Sequence, residues 1–172
     1  MKLYYQKELI TLKKLRELSV NQSVKAWLIG EFHFRKECKN FEKKCINLMR
    51  PEFILGESLS YLPRLAKEFV AQYIYCDTSN ATIHSYDSSE IGKNICKYIE
   101  QSKKLVLAIF GSKHLEPESN IYKNLRGKIL LIINPLEIIS TTTEDAKGTV
   151  ELEDFIKNRA IVKSYGAVIL RS

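Results

Sequence analysis

Residues 25–33 read KAWLIGEFH, and residues 105–114 read LVLAIFGSKH. In each stretch a short apolar run leads into a glycine that is followed, three residues later, by a histidine. A short apolar run bounded by such signals is typical of a buried β-strand. Glycine permits a sharp turn or a close backbone approach, and imidazole can act as a base, a hydrogen-bond donor or a metal ligand. We expect His33 and His114 to belong to one site.

Short β-rich runs alternate with helical patterns along the rest of the chain, which is typical of a parallel α/β sheet. We predict strands at 25–32, 53–56, 82–86, 105–110, 128–133 and 167–170. We predict helices over 5–19 (whose start could be a strand), over 35–49, near Pro63 with Leu62, Leu65, Phe69 and Tyr73 on its buried face, along Ile91, Ile95 and Ile99, from Pro117 to about Leu125, and near 151–160. Residues 141–149 are polar and are predicted to form a loop.

The length of 172 residues fits one domain. The fold class that we expect is α/β, a single domain with a mostly parallel central β-sheet flanked by helices. Within it, 1–24 is expected to be an N-terminal helical segment and 25–172 the sheet core.

The composition is that of an ordinary globular protein, with 45% apolar and 27% charged residues, which excludes a disordered chain. No apolar run approaches the roughly 20 residues of a membrane-spanning helix. The first 20 residues mix leucine with charged residues and do not resemble a signal peptide. We therefore expect a cytoplasmic protein.

The net charge is +7, which permits binding to nucleic acid or to an acidic small molecule. Lysines outnumber arginines 20 to 7 and are spread among glutamates, whereas arginine is the better reader of bases and phosphates. Nucleic acid is therefore the least favoured partner. A small molecule or a peptide is the expected substrate.

The four cysteines, Cys38, Cys45, Cys76 and Cys96, form no CxxC pair and no zinc-finger spacing. We interpret them as small buried apolar residues, with a disulfide as the alternative in a hyperthermophile. The chain also lacks the glycine-rich signatures of dinucleotide and P-loop sites and the GxSxG elbow of serine hydrolases.

Polar residues follow the first four predicted strands: Glu31 with His33, Glu57, Asp87, and His114. The carboxyl ends of parallel strands share one edge of a sheet, where α/β proteins bind ligands. Two histidines and a carboxylate form a common ligand set for a divalent metal. The sequence thus predicts a catalytic group of His33, Glu31, Glu57 and His114, with His33, Glu57 and His114 as candidate metal ligands.

Several of these residues also have a structural interpretation. Glu31 could complement the dipole of the following helix, and Asp87 could cap its helix together with Glu90. Arg64 could bind an anionic substrate or could be a surface arginine. His84 falls inside a predicted strand and is interpreted as structural.

The paired motifs GEFH (30–33) and GSKH (111–114), with RPEFILGE (50–57) between them, resemble the TraB/Tiki families of the erythromycin esterase/ChaN-like superfamily. The resemblance covers about Lys25 to His114. Members of this superfamily include metal-dependent proteases, macrolactone esterases and haem-binding proteins.

The resemblance implies an α/β fold with a site that hydrolyses peptide or ester bonds. His33 and His114 would be site residues, and Glu31 and Glu57 would be their partners. It implies a divalent metal such as Mn, Co, Zn or Fe, with haem as the less favoured cofactor, and a substrate-binding role for Arg64 and Asp87. A domain that binds a metal, haem or a metabolite without turnover is the alternative. The chain lacks the large insertions of its longer relatives, and Arg64 lies farther from Glu57 than the TraB pattern leads us to expect.

Overall fold

A computed structural model of the chain describes residues 2–32, 36–76, 88–116, 119–136 and 164–171. In these residues one eight-stranded sheet has the order β2-β1-β8-β7-β3-β6-β4-β5. The strands are β1 (Lys2–Tyr5), β2 (Glu8–Leu9), β3 (Ala26–Glu31), β4 (Phe53–Gly56), β5 (Gln72–Tyr75), β6 (Val106–Gly111), β7 (Ile129–Pro135) and β8 (Ser164–Arg171).

Five adjacent strands, β7, β3, β6, β4 and β5, run parallel. The residues of β3 are all buried, as are those of β6 up to its terminal Gly111. Continuous apolar strands of this kind are typical of parallel sheets that are covered on both faces. β8 is antiparallel to β7 and parallel to β1. The α/β class and the mostly parallel sheet are confirmed.

Within the described ranges, four α-helices cover the sheet: α1 (Leu12–Asn21), α2 (Lys36–Met49), α3 (Tyr61–Glu68) and α4 (Ser89–Gln101). Buried side chains of α1, α2 and α3 share a core with Trp27 and Ile29 of β3. Buried side chains of α4 pack on the other face, in the core that contains Leu28. Side chains of a strand alternate between faces, so successive residues of β3 contribute to two different cores.

The predicted helix over 5–19 begins only at Leu12, and its start is a strand, the alternative that the pattern left open, because Lys2–Tyr5 and Glu8–Leu9 form strands. Gln6 and Lys7 have positive φ angles of 51° and 69° and make the tight turn between them. The helix begins after Thr11, whose side chain accepts a hydrogen bond from the backbone N–H of Lys14, a standard N-cap. The segment 1–24 is therefore partly sheet.

The predicted helix face that included Tyr73 is also wrong, because α3 ends at Glu68. Val70 has a φ of 58°, a left-handed conformation that a β-branched residue rarely adopts. The chain turns there and continues as β5, which pairs with β4. Tyr73 is consequently a strand residue at the sheet edge.

The strand predicted at 82–86, the polar loop at 141–149 and the helix near 151–160 lie outside the described residues. So does Pro117, and the described helix of that region is a 3-10 helix, Asn120–Asn124. None of the described helices combines the length and the apolar character needed to cross a membrane.

The four cysteines are free thiols, as expected for small buried side chains, although Cys96 on α4 is only partly buried. Burial raises the pKa of all four thiols, and Cys96 differs from the other three in being accessible to a reagent. A raised pKa lowers the thiolate fraction, and only the thiolate reacts with thiol reagents.

We therefore expect a thiol reagent at neutral pH to modify Cys96 first in the folded protein, and the other three cysteines only after unfolding. Stopped-flow labelling of the wild type and of Cys96→Ser measures this directly. A second thiol that reacts in the folded protein as fast as Cys96 would contradict the packing described for α2 and β5.

Candidate functional site

The carboxyl ends of β3, β4 and β6 lie at one edge of the sheet. Glu31 at the end of β3 pairs with Gly111 at the end of β6, and Gly56 at the end of β4 pairs with Ile109. β6 thus extends two residues beyond the end of β4. The residues that follow Gly56 and Gly111 are brought together at this edge, as the sequence predicts.

Glu57 is the first residue after β4. Its side chain accepts a hydrogen bond from the β6 backbone, in place of the β4 backbone that has ended. Its Oε1 accepts a hydrogen bond of 2.7 Å from the backbone N–H of Gly111. A hydrogen bond to an ionised carboxylate is stronger than one between neutral groups. The contact fixes Glu57 against the first residue of the GSKH motif.

His114 lies on a 3-10 helix, Ser112–Leu115, that begins directly after β6. Its Nε2 is 3.7 Å from Oε2 of Glu57, and the side chains of His114 and Glu57 are only 7% and 12% exposed. The structure therefore brings together two of the predicted catalytic residues, His114 and Glu57, in a nearly buried pair.

Ser88 is a site residue that the sequence analysis missed. It occupies the N-cap position of α4 but makes no capping hydrogen bond with its side chain. Its Oγ lies instead 2.9 Å from Nδ1 of His114, and the residue is fully buried. The only indication of this role is that Ser88 is an N-cap residue whose side chain does not cap the helix. The structure shows this, and the sequence does not.

Gly30, the first residue of the GEFH motif, makes a close approach that requires glycine. A Cβ at this position would lie 1.8 Å from Oδ1 of Asn134 and 3.1 Å from Cα of Ser112. The two glycine–histidine motifs are therefore in direct contact through Gly30 and Ser112.

Glu31 is buried, at 6% exposure, but it belongs to the other face of the sheet. Its side chain lies on the same face of β3 as those of Trp27 and Ile29, which pack under α2. Its charge contributes, after burial, to the raised pKa values of Cys38 and Tyr61. Glu31 thus shares an edge with the His114–Glu57 pair while its side chain lies among the residues of α2 and α3.

Of the remaining predicted site residues, the structure describes only Arg64. Arg64 is exposed on α3, which agrees with its interpretation as a surface arginine. His33 and Asp87 lie outside the described residues, so their predicted roles stay predictions. In the described part of the chain, no group of three or more His, Cys, Asp or Glu side chains could hold a metal ion.

Cys76 follows β5 and lies near Glu57. Burial raises the pKa of its thiol to about 12, and the charge of Glu57 adds to this effect. Because the thiol stays protonated at neutral pH, Cys76 cannot serve as a nucleophile. Among the described residues of this edge, the imidazole of His114 and the carboxylate of Glu57 are therefore the candidates for chemistry.

Comparison of the chain with protein-family models, with curated proteins and with solved structures finds no match.

We expect Gly30→Ala to destabilise the protein by about 1–3 kcal/mol, the usual cost of forcing an extra methyl group into a packed core. Asn134→Ala should relieve the closest clash, so the double variant should be more stable than Gly30→Ala. Urea unfolding of the four proteins measures this. Additive losses would contradict the contact between Gly30 and Asn134.

Proposed function

We propose that the protein is a hydrolase of peptide or ester bonds whose chemistry is centred on His114 and Glu57. One observation supports this most strongly. An imidazole and a carboxylate, both nearly buried, face each other at 3.7 Å at the carboxyl edge of the sheet, where α/β proteins bind their substrates.

Nε2 of His114 and Oε2 of Glu57, 3.7 Å apart, can be bridged by a proton or by a cation. Two lone pairs directed at each other in a site of low dielectric repel. A shared proton makes the pair a general acid and base, whereas a cation makes it part of a metal site. Both forms are suited to activating water.

The Ser88 hydroxyl can hold the His114 ring in either tautomer, because it can accept a hydrogen bond from Nδ1–H or donate one to Nδ1. In the metal-bound form it would accept from Nδ1–H, which leaves the lone pair of Nε2 facing Glu57. Histidine ligands of metals are oriented in this way by an acceptor on their other nitrogen. Because Ser88 is fully buried, it fits a positioning residue and not a nucleophile.

The donor set fits a divalent metal in part. Zn²⁺ binds histidine nitrogen and carboxylate oxygen at about 2.0–2.2 Å, so two ligands of a tetrahedral ion lie about 3.4 Å apart. The observed 3.7 Å is within a few tenths of an ångström of this spacing. The sequence-predicted third ligand is His33. A bound metal would supply a water of lowered pKa at the scissile carbonyl.

In the metal-free form, His114 is an imidazolium whose Nδ1–H bonds to Ser88 and whose Nε2–H stabilises the developing oxyanion, while the Glu57 carboxylate accepts a proton from the attacking water. The hydrogen bond from Gly111 to Oε1 holds the carboxylate in place while Oε2 acts as the base. His33 is the alternative base in this form.

A domain that binds a metal, haem or a metabolite without turnover is the second candidate. The low exposure of the pair, 7% and 12%, favours it, because a bulky substrate needs wider access than a metal ion does. Hydrolysis and metal content measured on the same protein samples distinguish the two functions.

We expect the wild type to hydrolyse members of a panel of nitrophenyl esters and short peptides after exposure to Mn, Co, Fe or Zn. His114→Ala and Glu57→Gln should lower kcat/KM by about 10²–10⁴-fold, the range for loss of a general acid or base. Elemental analysis should find near-stoichiometric metal in the wild type and less in His114→Ala and His33→Ala.

Glu52→Gln is the matched control, because Glu52 is exposed and precedes the same strand whose far end leads to Glu57. It should retain full activity. Unchanged hydrolysis in His114→Ala and Glu57→Gln would refute the proposed site. Stoichiometric metal without any hydrolysis would favour the binding domain.

Ser88→Ala should weaken metal binding about 10–100-fold, the usual effect of removing the partner of a metal-bound histidine. It should also change the ¹⁵N shifts of the His114 ring, which report the tautomer directly. A purely structural serine would change stability but leave the tautomer unaltered.

A further inference from the structure

A cavity of about 410 Å³ lies at the end of the sheet opposite to the candidate site. Val24 precedes β3, and Lys104 and Leu105 precede β6, so the cavity borders the amino ends of the two central strands. The carboxyl ends of the same strands hold the candidate site. This volume is within the range of small-molecule sites, about 300–1,000 Å³.

Three basic side chains line the cavity, those of Arg16, Arg50 and Lys104, and its lining includes no acidic residue. The ion pairs found among the described residues involve none of these three cations. The lining thus carries three positive charges outside these ion pairs. The Glu52 carboxylate lies nearby, where it accepts a hydrogen bond from Ser102, whose Oγ accepts one from the Lys104 backbone N–H.

The helices α1 and α2 end beside the cavity, and each helix carboxyl end has about half a negative charge. The three cations exceed these two partial charges by about two units. The last carbonyls of α1 are moreover engaged, since those of Leu18 and Ser19 accept hydrogen bonds from Gln22 and Val24. An anion in the cavity is therefore attracted.

Apart from Ser19, the remaining wall is apolar. Val20, Val24, Met49 and Leu105 contribute to it, and Val20 is 67% exposed. An exposed valine beside clustered cations offers an apolar contact next to a charged one. The lining therefore matches a molecule that has both an anionic and an apolar part.

Arg50 occupies a backbone position that disfavours arginine. It follows α2 directly and has a φ of 46°, a left-handed conformation at helix ends that is usually filled by glycine. Its guanidinium is held by Asn47, at 2.9 Å, and lies 5.1 Å from the ring centre of Phe69. These contacts hold the guanidinium beside Asn47 and Phe69, which do not themselves line the cavity.

We propose that this cavity binds a small organic anion, with a carboxylate or phosphate group at Arg16, Arg50 and Lys104 and an apolar portion against Val20 and Met49. The site is separate from the His114–Glu57 pair, and its occupation does not depend on hydrolysis.

The protein contains a natural reporter for this site. Trp27 is the single tryptophan of the chain. Its indole N–H donates a 3.0 Å hydrogen bond to Ser19 Oγ, and Ser19 lines the cavity. Ligand binding there should alter the tryptophan fluorescence.

The test is calorimetry with phenyl phosphate, with phenol and inorganic phosphate as probes of the separate apolar and anionic parts. We expect phenyl phosphate to bind with a Kd below about 1 mM and to change Trp27 emission, and each separate probe to bind at least tenfold more weakly. Lys104→Ala and Arg16→Ala should each raise the Kd about tenfold. Lys103→Ala, the adjacent exposed lysine that does not line the cavity, should leave it unchanged.

Arg50→Gly gives a variant whose backbone suits the left-handed position, so it should fold and still lose about tenfold in affinity. His114→Ala should bind phenyl phosphate as the wild type does. No binding, or equal losses in Lys103→Ala and Lys104→Ala, would overturn the proposal. Tighter binding of a short oligonucleotide than of phenyl phosphate would also overturn it, in favour of a nucleic-acid surface.

Discussion

The hydrogen bond from the Gly111 N–H to the Glu57 carboxylate, 2.7 Å long, is the contact on which the candidate site depends. β4 ends at Gly56 while β6 continues to Gly111, so the β6 backbone needs an acceptor that β4 no longer provides. The Glu57 side chain supplies it. A buried backbone N–H requires an acceptor. Here the acceptor of the Gly111 N–H is the charged Glu57 carboxylate, which lies beside the His114 imidazole. The same contact thus completes the sheet edge and places the carboxylate.

The alternation of side chains along the central strands separates the functional features of the molecule. Glu31 lies with the core under α2, whereas His114 and Ser88 lie with the residues of α4. The basic cavity lies at the opposite strand ends. Six strand residues span about 20 Å, so the charges at the two ends of the central strands are far apart. Each end can therefore bind its ligand with little influence from the other.

Local patterns predict the central strands and α2 closely, because their apolar runs are continuous and their boundaries have glycine or proline. They also predict that Glu57 and His114 share an edge, since parallel strands leave no other arrangement. Ser88 could not be found in this way, because its contact with His114 links residues 26 positions apart and its sequence context reads as a helix cap.

The N-terminal turn was missed because Leu9, Leu12 and Leu15 have helical spacing, while positive φ angles at Gln6 and Lys7 leave no composition signal. Tyr73 was wrongly assigned to a helix for a similar reason. Val70 adopts a left-handed conformation, but valine is not a typical helix-breaking residue.

Amide hydrogen exchange at Gly111, followed by NMR in the wild type and in Glu57→Ala, tests the central contact most directly. The Ala108 amide, in the middle of β6, serves as the internal reference for any general loss of stability. If the Glu57 carboxylate holds the edge as described, Gly111 exchanges at least about tenfold faster in the variant, a difference of about 1.4 kcal/mol, while Ala108 changes less. Equal exchange of Gly111 in both proteins would show that the carboxylate does not bond to this amide and would remove the basis of the proposed site.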